Sequence, residues 1–293
     1  MKFSEIKHKI KNLGNFKSLK EIKKAGLRVA RNTKTGDYWL IEEEFLKPVV
    51  KSPRECKTIL IKPEDLKYKV LMVHKSKEEL KGKKVLDYIE WGEKQVTRGW
   101  QGKQEAGTKL KDIKSVQGRK FWHSIEKKEP APLILWKIIG ERFAVFFNKN
   151  LFFSDQTFYL IYPYQKESIN SIFTFLNSSI GRLVFELNGI EQTGAYTVLE
   201  ITVEDSKKIM VWNQKYNDNR NINFRTEIKS IFTELGFNPN KPIREQEPKP
   251  LPDRKALDDI VFDALGLTKE ERKEVYWAVG ELVQNRLKKA RSV

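Results

Sequence analysis

The longest apolar stretch of this chain is repeatedly broken by charge. From Pro132 to Phe147 it reads PLILWKIIGERFAVFF, with Lys137, Glu141 and Arg142 set into it. A helix crossing a bilayer needs about 20 predominantly apolar residues in a row. The interruptions rule one out here and leave runs of strand length. Short runs rich in Ile, Val, Phe and Trp, bounded by turn residues, read as β-strands. PLILWKII, RFAVFFNK and the later FYLIYPY are therefore expected strands.

The rest of the pattern mixes helices with strands. LRVARNTKTGDYWLIEEEFLKPVV reads as strand, turn, strand, with Gly36 free to take a positive φ in the turn. CKTILIKP and YKVLMVH are two more expected strands. A helix from Ser76 is stopped by Gly82, and a second runs through Val85, Tyr88, Ile89 and Trp91. Apolar positions from Ile169 to Leu187 recur at helical spacing, which predicts one long helix stopped at Asn188-Gly189. AYTVLEITVEDSKKIMVW follows as a strand and a turn. Phe3, Ile6, Ile10 and Leu13 predict a lysine-rich helix at the start, read either as a basic arm near phosphates or as a solvated surface helix. The class expected is α+β: a basic helix or arm over residues 1–26, a mixed-sheet region over 27–235, a proline-rich linker over 236–255 and a helical tail over 256–293. In the tail, Asp253 is expected to cap a helix ending at Gly266, and Thr268 with Glu271 forms a capping-box pattern. The apolar face of the last helix, from Val275 to Ala290, either packs on its own domain or docks on a partner.

Charge narrows the function. Lys and Arg number 56 against 39 Asp and Glu, a formal charge of +17. Such an excess favours a polyanionic partner, nucleic acid above all; the competing reading is a Lys/Glu-rich protein from a heat-loving organism. Cys56 is the only cysteine, so no internal disulfide forms, and a lone thiol suits a reducing compartment. No signal-peptide pattern opens the sequence, and a cytoplasmic protein without membrane contact is expected.

Catalytic motifs are not legible. His8, His74 and His123 lack metal-ligand spacing. GKQEAGTK, residues 102–109, lacks the Gly-Lys-Ser/Thr order that lets a phosphate loop hold phosphate and magnesium. No Gly-x-Ser-x-Gly elbow is present. Asp258 and Asp259 are adjacent and read as solvated acids in the first turn of a helix. The positive signal lies in loops that mix cations with aromatic and small polar residues. Cations neutralise phosphates, and polar side chains read base edges. The candidate DNA-contacting residues are Arg31, Lys34 and Thr35; Arg98, Trp100 and Lys103; Arg119, Lys120 and Trp122; and Gln192, Thr193 and Tyr196. For the tryptophans the competing reading is packing, since large aromatics usually bury most of their area.

Several of these segments, in this order, resemble the target-recognition region of N6-adenine DNA methyltransferases of restriction-modification systems, of the type I and fused restriction–methylation kind. The resemblance rests on Arg119 with Trp122, Lys137-Ile138, Arg142-Phe143, Phe158 to Ile161, Leu176-Asn-Ser-Ser179 and the Gly189 to Ile201 loop and strand. RVARNTKTGDYWLI, near the start, and the helical tail add to it, so it covers most of the chain from Leu27 onward. It implies a mixed-sheet domain that reads double-stranded DNA sequence-specifically. The family's Gly-rich S-adenosylmethionine loop and its Asn/Asp-Pro-Pro-Tyr/Phe motif are both missing, and no Pro-Pro pair occurs anywhere. The resemblance thus implies a recognition module with no cofactor of its own, S-adenosylmethionine being held by a methyltransferase subunit or by a domain outside this sequence. The alternatives are a fragment of a methyltransferase or restriction enzyme active only with its missing domain, and an RNA-binding or scaffold protein.

Overall fold

A computed structural model of the chain describes residues 2–97, 107–125, 129–192, 198–209 and 227–291. It is mixed α and β, with several small sheets instead of one large one. Contacts divide the chain into two compact units, Met1–Pro48 with Lys69–Glu129, and Val49–Tyr68 with Pro130–Val293. This division differs from the expected boundaries: residues 1–26 belong to the first unit, and 236–255 belong to the second.

The first unit opens with two short helices, α1 (Phe3–Ile6) and α2 (Leu19–Lys24). The single lysine-rich helix expected there is absent, but its spacing was informative. Ile6 and Ile10 are buried with Ile22, Leu27 and Leu40, and Phe3 and Leu13 pack against them. Strands β1 (Leu27–Arg31) and β2 (Tyr38–Glu42) form the expected antiparallel hairpin, with Leu27 opposite Glu42 and Arg31 opposite Tyr38. β3 (Leu46–Val50) and β4 (Tyr68–Leu71) lead in and out of the second unit. The helix expected from Ser76 is only a run of turns, and α3 (Lys84–Glu93) begins after Gly82. No side chain of its own caps α3. The Glu42 carboxylate, at the end of β2, instead accepts the first two amides, Lys84 N–H at 2.7 Å and Val85 N–H at 3.0 Å. An acidic group at the positive end of a helix is favourable, so this contact joins α3 to the hairpin. A short helix, α4 (Lys114–Gln117), follows.

The second unit has three strand groups. β5 (Leu133–Trp136) lies between β7 (Val145–Phe147) and β9 (Phe158–Ile161), antiparallel to both. β6 (Ile138–Ile139), β10 (Ile190–Gln192) and β11 (Val198–Glu200) form another antiparallel sheet with β11 in the middle. β8 (Phe153–Ser154) pairs in parallel with Val49 and Val50 of β3. CKTILIKP forms no strand, yet it follows β7 closely: Phe147 N–H donates to Ile59 C=O and Ile61 N–H to Phe147 C=O.

The long helix predicted over residues 169–187 is two helices, α5 (Ile169–Asn177) and α6 (Ser179–Asn188). Ser178 makes the break. Its extended backbone ends α5, its hydroxyl donates to Phe175 C=O at 2.7 Å, and it accepts Gly181 N–H at 3.1 Å as the cap of α6. Its neighbours are joints too. Asn177 accepts Val145 N–H and donates to Val145 C=O, both at 3.0 Å, tying α5 to the edge strand β7. Ser179 donates its amide and hydroxyl to Asp258 at 2.6 and 2.7 Å. A short capped helix, α7 (Val203–Lys208), stands where a turn was expected after β11.

Beyond α8 (Ile231–Leu235), the stretch 236–255 is packed and not a free tether: Phe237 and Ile243 are buried, and Lys249 N–H donates to Leu235 C=O. The proline-rich composition pointed to a linker because prolines cannot ladder, but the apolar residues between them found a core. α9 (Pro252–Leu265) ends at Gly266, which takes a left-handed φ of 67° as expected. Asp253 does not cap it; the cap position is Leu251, without a side-chain bond. Asp258 is fully buried, a correction to its reading as a solvated acid. The reciprocal Thr268–Glu271 capping bonds are present at the start of α10 (Lys269–Arg291). Val275, Val279 and Val283 of α10 bury against Phe232, Leu235 and Phe262 of the same unit. The apolar face of the last helix is therefore occupied by its own chain, which removes it as a partner-docking face.

Candidate nucleic-acid interface

The first unit brings three of the candidate residues to one place. One cavity of this unit, about 290 Å³, is bordered by Lys34 and Thr35 of the hairpin turn and by Trp122. The back is aromatic: Tyr88 and Trp91 stack at 5.3 Å, and Trp39 meets both at 5.3 Å from the buried side. Gln95, just beyond α3, and His123 also line it.

Asn32 shapes the mouth. Its side-chain oxygen accepts the amides of Lys34 and Thr35 at 2.8 and 3.0 Å, and Gly36, with φ of 80°, closes the turn by donating to Asn32 C=O. Asn32 Nδ2 donates to the Tyr88 hydroxyl at 2.7 Å, pinning the hairpin tip to α3. Asn32 lies inside the stretch that the sequence singled out, but its role follows from the turn and from Tyr88, which lies 56 residues further on. Burial pushes the Tyr88 phenol up, so it stays protonated.

Trp122 is half-buried and also lines the cavity. Its Nε1–H donates to Glu93 at 3.1 Å, and its ring lies directly over Gly92, where a Cβ would stand 2.9 Å from Cη2. The packing reading of this tryptophan therefore holds, and part of the ring also lines the cavity. Burial pushes the His123 imidazole below its ordinary range, so it is neutral near pH 7. With Nε2 against Lys75 C=O at 3.1 Å, its buried Nδ1 has no partner among the described residues.

Arg31, Arg119 and Lys120 are exposed on the same unit. Arg31 lies 6.0 Å from the Tyr38 ring centre, Arg119 donates to Ser124 C=O at 3.0 Å, and Lys120 sits over Phe121. Gln192 is placed in the second unit, exposed on β10 and donating to Glu200 at 2.9 Å. Arg98, Trp100, Lys103, Thr193 and Tyr196 lie outside the described residues.

The division into units shows a charge asymmetry that the totals hide. The first unit carries 28 Lys and Arg against 15 Asp and Glu, an excess of +13; the second carries 28 against 24, an excess of +4. Thus most of the +17 resides in the smaller unit, the one with the aromatic cavity. The second unit also has a cavity, about 150 Å³, walled by Trp136, Ile138, Phe143 and Phe146 with Arg54 and Arg142 at its border. There Arg142 is already engaged, its Nε donating to Ile228 C=O at 3.1 Å. Among the described residues no cluster of His, Cys, Asp and Glu is arranged to hold a metal, and no helix is long and apolar enough to cross a membrane.

Comparison with known proteins returned no matching family model, no similar curated protein and no similar solved structure. The functional reading therefore rests on the site and on the sequence.

Proposed function

We propose that the chain is a sequence-specific double-stranded DNA recognition module that serves an N6-adenine methyltransferase supplied by another subunit or domain. The observation that carries this reading is the +13 excess on the first unit, coinciding with its aromatic cavity. Cations supply the sequence-independent grip on phosphates, and placed polar and aromatic groups supply discrimination. The adenine methyltransferase part comes from the resemblance above, and S-adenosylmethionine would be bound by that partner.

Fluorescence anisotropy of a labelled duplex tests the grip. Arg31, Lys34, Arg119 and Lys120 make no ion pair among the described residues. If these four meet phosphates, the slope of log affinity against log salt is about −3.6, and affinity falls roughly 150-fold between 50 and 200 mM salt. A flat response defeats the electrostatic reading. Competition by single-stranded DNA or RNA that exceeds competition by duplex moves the protein to another class. Methyl transfer by the purified chain alone overturns the recognition-only reading.

A further inference from the structure

We propose that the aromatic cavity of the first unit receives a single unstacked nucleobase of the bound DNA. This rests on the duplex-binding reading above. Three observations point to it.

The first is shape. At about 290 Å³ the cavity far exceeds the space for one water, roughly 10–15 Å³, and falls at the lower end of small-molecule sites, about 300 Å³. It suits one planar heterocycle. Trp91 and Trp122 both line it with apolar ring surface, and every base has a face that stacks on an aromatic ring.

The second is the set of polar groups left over. The Asn32 amide is engaged at both ends, its oxygen by the turn and one N–H by Tyr88. Gln95 donates one amide N–H to Trp91 C=O, and its side-chain oxygen has no partner among the described residues. The Tyr88 hydroxyl accepts from Asn32 and keeps its own proton to donate. An acceptor, a donor and the Lys34 ammonium around an aromatic slot match the mixed donor and acceptor edge of a base.

The third is charge. An aromatic slot can also cage a quaternary or alkylated ammonium, but a +13 unit with Lys34 at the rim repels a cation. The ligand that combines a flat apolar ring with a polyanionic tether is a nucleotide within a strand.

Extruding a base costs unstacking energy, and the cost is least where the base is already unpaired. The test uses the full chain and three duplexes of one sequence: fully paired, with a one-nucleotide bulge, and with the bulged position abasic. The expected result is that the bulged duplex binds at least about tenfold more tightly than the paired one, with the abasic bulge losing that gain. Trp122→Leu should collapse the ratio to within about twofold. Because Trp122 also packs on Gly92, Gln95→Ala is the second variant; it spares the core and should at least halve the ratio. Equal affinity for the three duplexes, each still salt-sensitive, overturns the base slot and leaves the DNA reading standing. A gain that persists in the abasic duplex, or in both variants, likewise overturns it. Failure to bind any duplex at 50 mM salt sinks the DNA reading and the slot with it.

Discussion

Gly92→Ala separates local helix preference from the packing that forms the cavity wall. Alanine is the better helix former by up to about 1 kcal/mol in a helix interior, and Gly92 sits near the end of α3, where the gain is smaller. Against this, the new Cβ would lie 2.9 Å from Trp122 Cη2 and 3.5 Å from Cζ2. Ordinary contact begins near 3.4 Å, so the ring must retreat by about 0.5 Å. The ring is not free to do so, because Nε1 is bonded to Glu93. Overpacking of this kind costs about 1–3 kcal/mol. The net expectation is destabilisation of about 0–3 kcal/mol, read as a lower urea midpoint with an unchanged slope. The Trp122→Ala background supplies the sharper measurement: there the obstacle is gone, and Gly92→Ala should become neutral or stabilising. A double-mutant cycle should therefore give a coupling of about 1–3 kcal/mol. Gly92→Ala that stabilises the wild-type background, or that behaves identically in both, would refute the placement of Trp122 over α3 and with it the wall of the cavity.

In the second unit, Arg254→Met should cost about 3–5 kcal/mol in urea unfolding, because it strands the buried Glu234 carboxylate that Arg254 pairs and removes the donor to Asn177 C=O; a loss under 1 kcal/mol would show that these groups are not buried together. Acidification should weaken the first unit as the pH falls below about 6.5, the ordinary value for an imidazole. His123 has a depressed pKa in the folded state, so the unfolded chain takes up the proton first and stability is lost as pH falls; the carboxylates held low, such as Glu93, act only below their ordinary value of 4.5, and His123→Gln should flatten the upper window alone. Cys56 is buried with its thiol pushed up to about 12, so a disulfide reagent should label it only on unfolding, and immediate stoichiometric labelling of the native protein would contradict its place in the core.

What the sequence conveyed and what it hid follow from the range of the interactions. The hairpin at 27–42 was legible because its turn chemistry is local: Asn32, Thr35 and Gly36 act on their immediate neighbours. The same holds for Gly266 and for Thr268 with Glu271. The break at Ser178 was hidden because helical spacing continues through it. The reasons for it lie far along the chain, with Asn177 reaching Val145 and Ser179 reaching Asp258. Residues 236–255 were misread for the same reason, since composition reports flexibility only when no distant apolar surface waits for the segment. The cavity was legible only in part. Lys34, Thr35 and Trp122 stood out as loop residues, whereas Tyr88 and Trp91 read as ordinary helix positions and Gln95 was not singled out. Nothing in their spacing says that a hairpin tip will close over them.

Net charge was likewise a poor guide until the fold divided it. In the second unit many cations are used by the fold itself. Arg182 and Arg286 share the buried Glu186, Arg254 holds Glu234, Arg244 spans Glu274 and Glu281, and Arg272 meets Asp259 and Asp263. A cation already paired with a carboxylate releases little when a phosphate approaches, since one ion pair is exchanged for another. Counterion release depends on charges that face solvent unneutralised, and Arg31, Lys34, Arg119 and Lys120 meet that condition among the described residues. Reversing Lys34 and Lys120 to Glu should therefore weaken duplex binding and flatten its salt dependence, whereas the same reversal at Lys255 and Lys273, each paired with a carboxylate, should leave the slope nearly unchanged. Equal losses from both pairs would mean that total charge governs binding, wherever on the chain it lies.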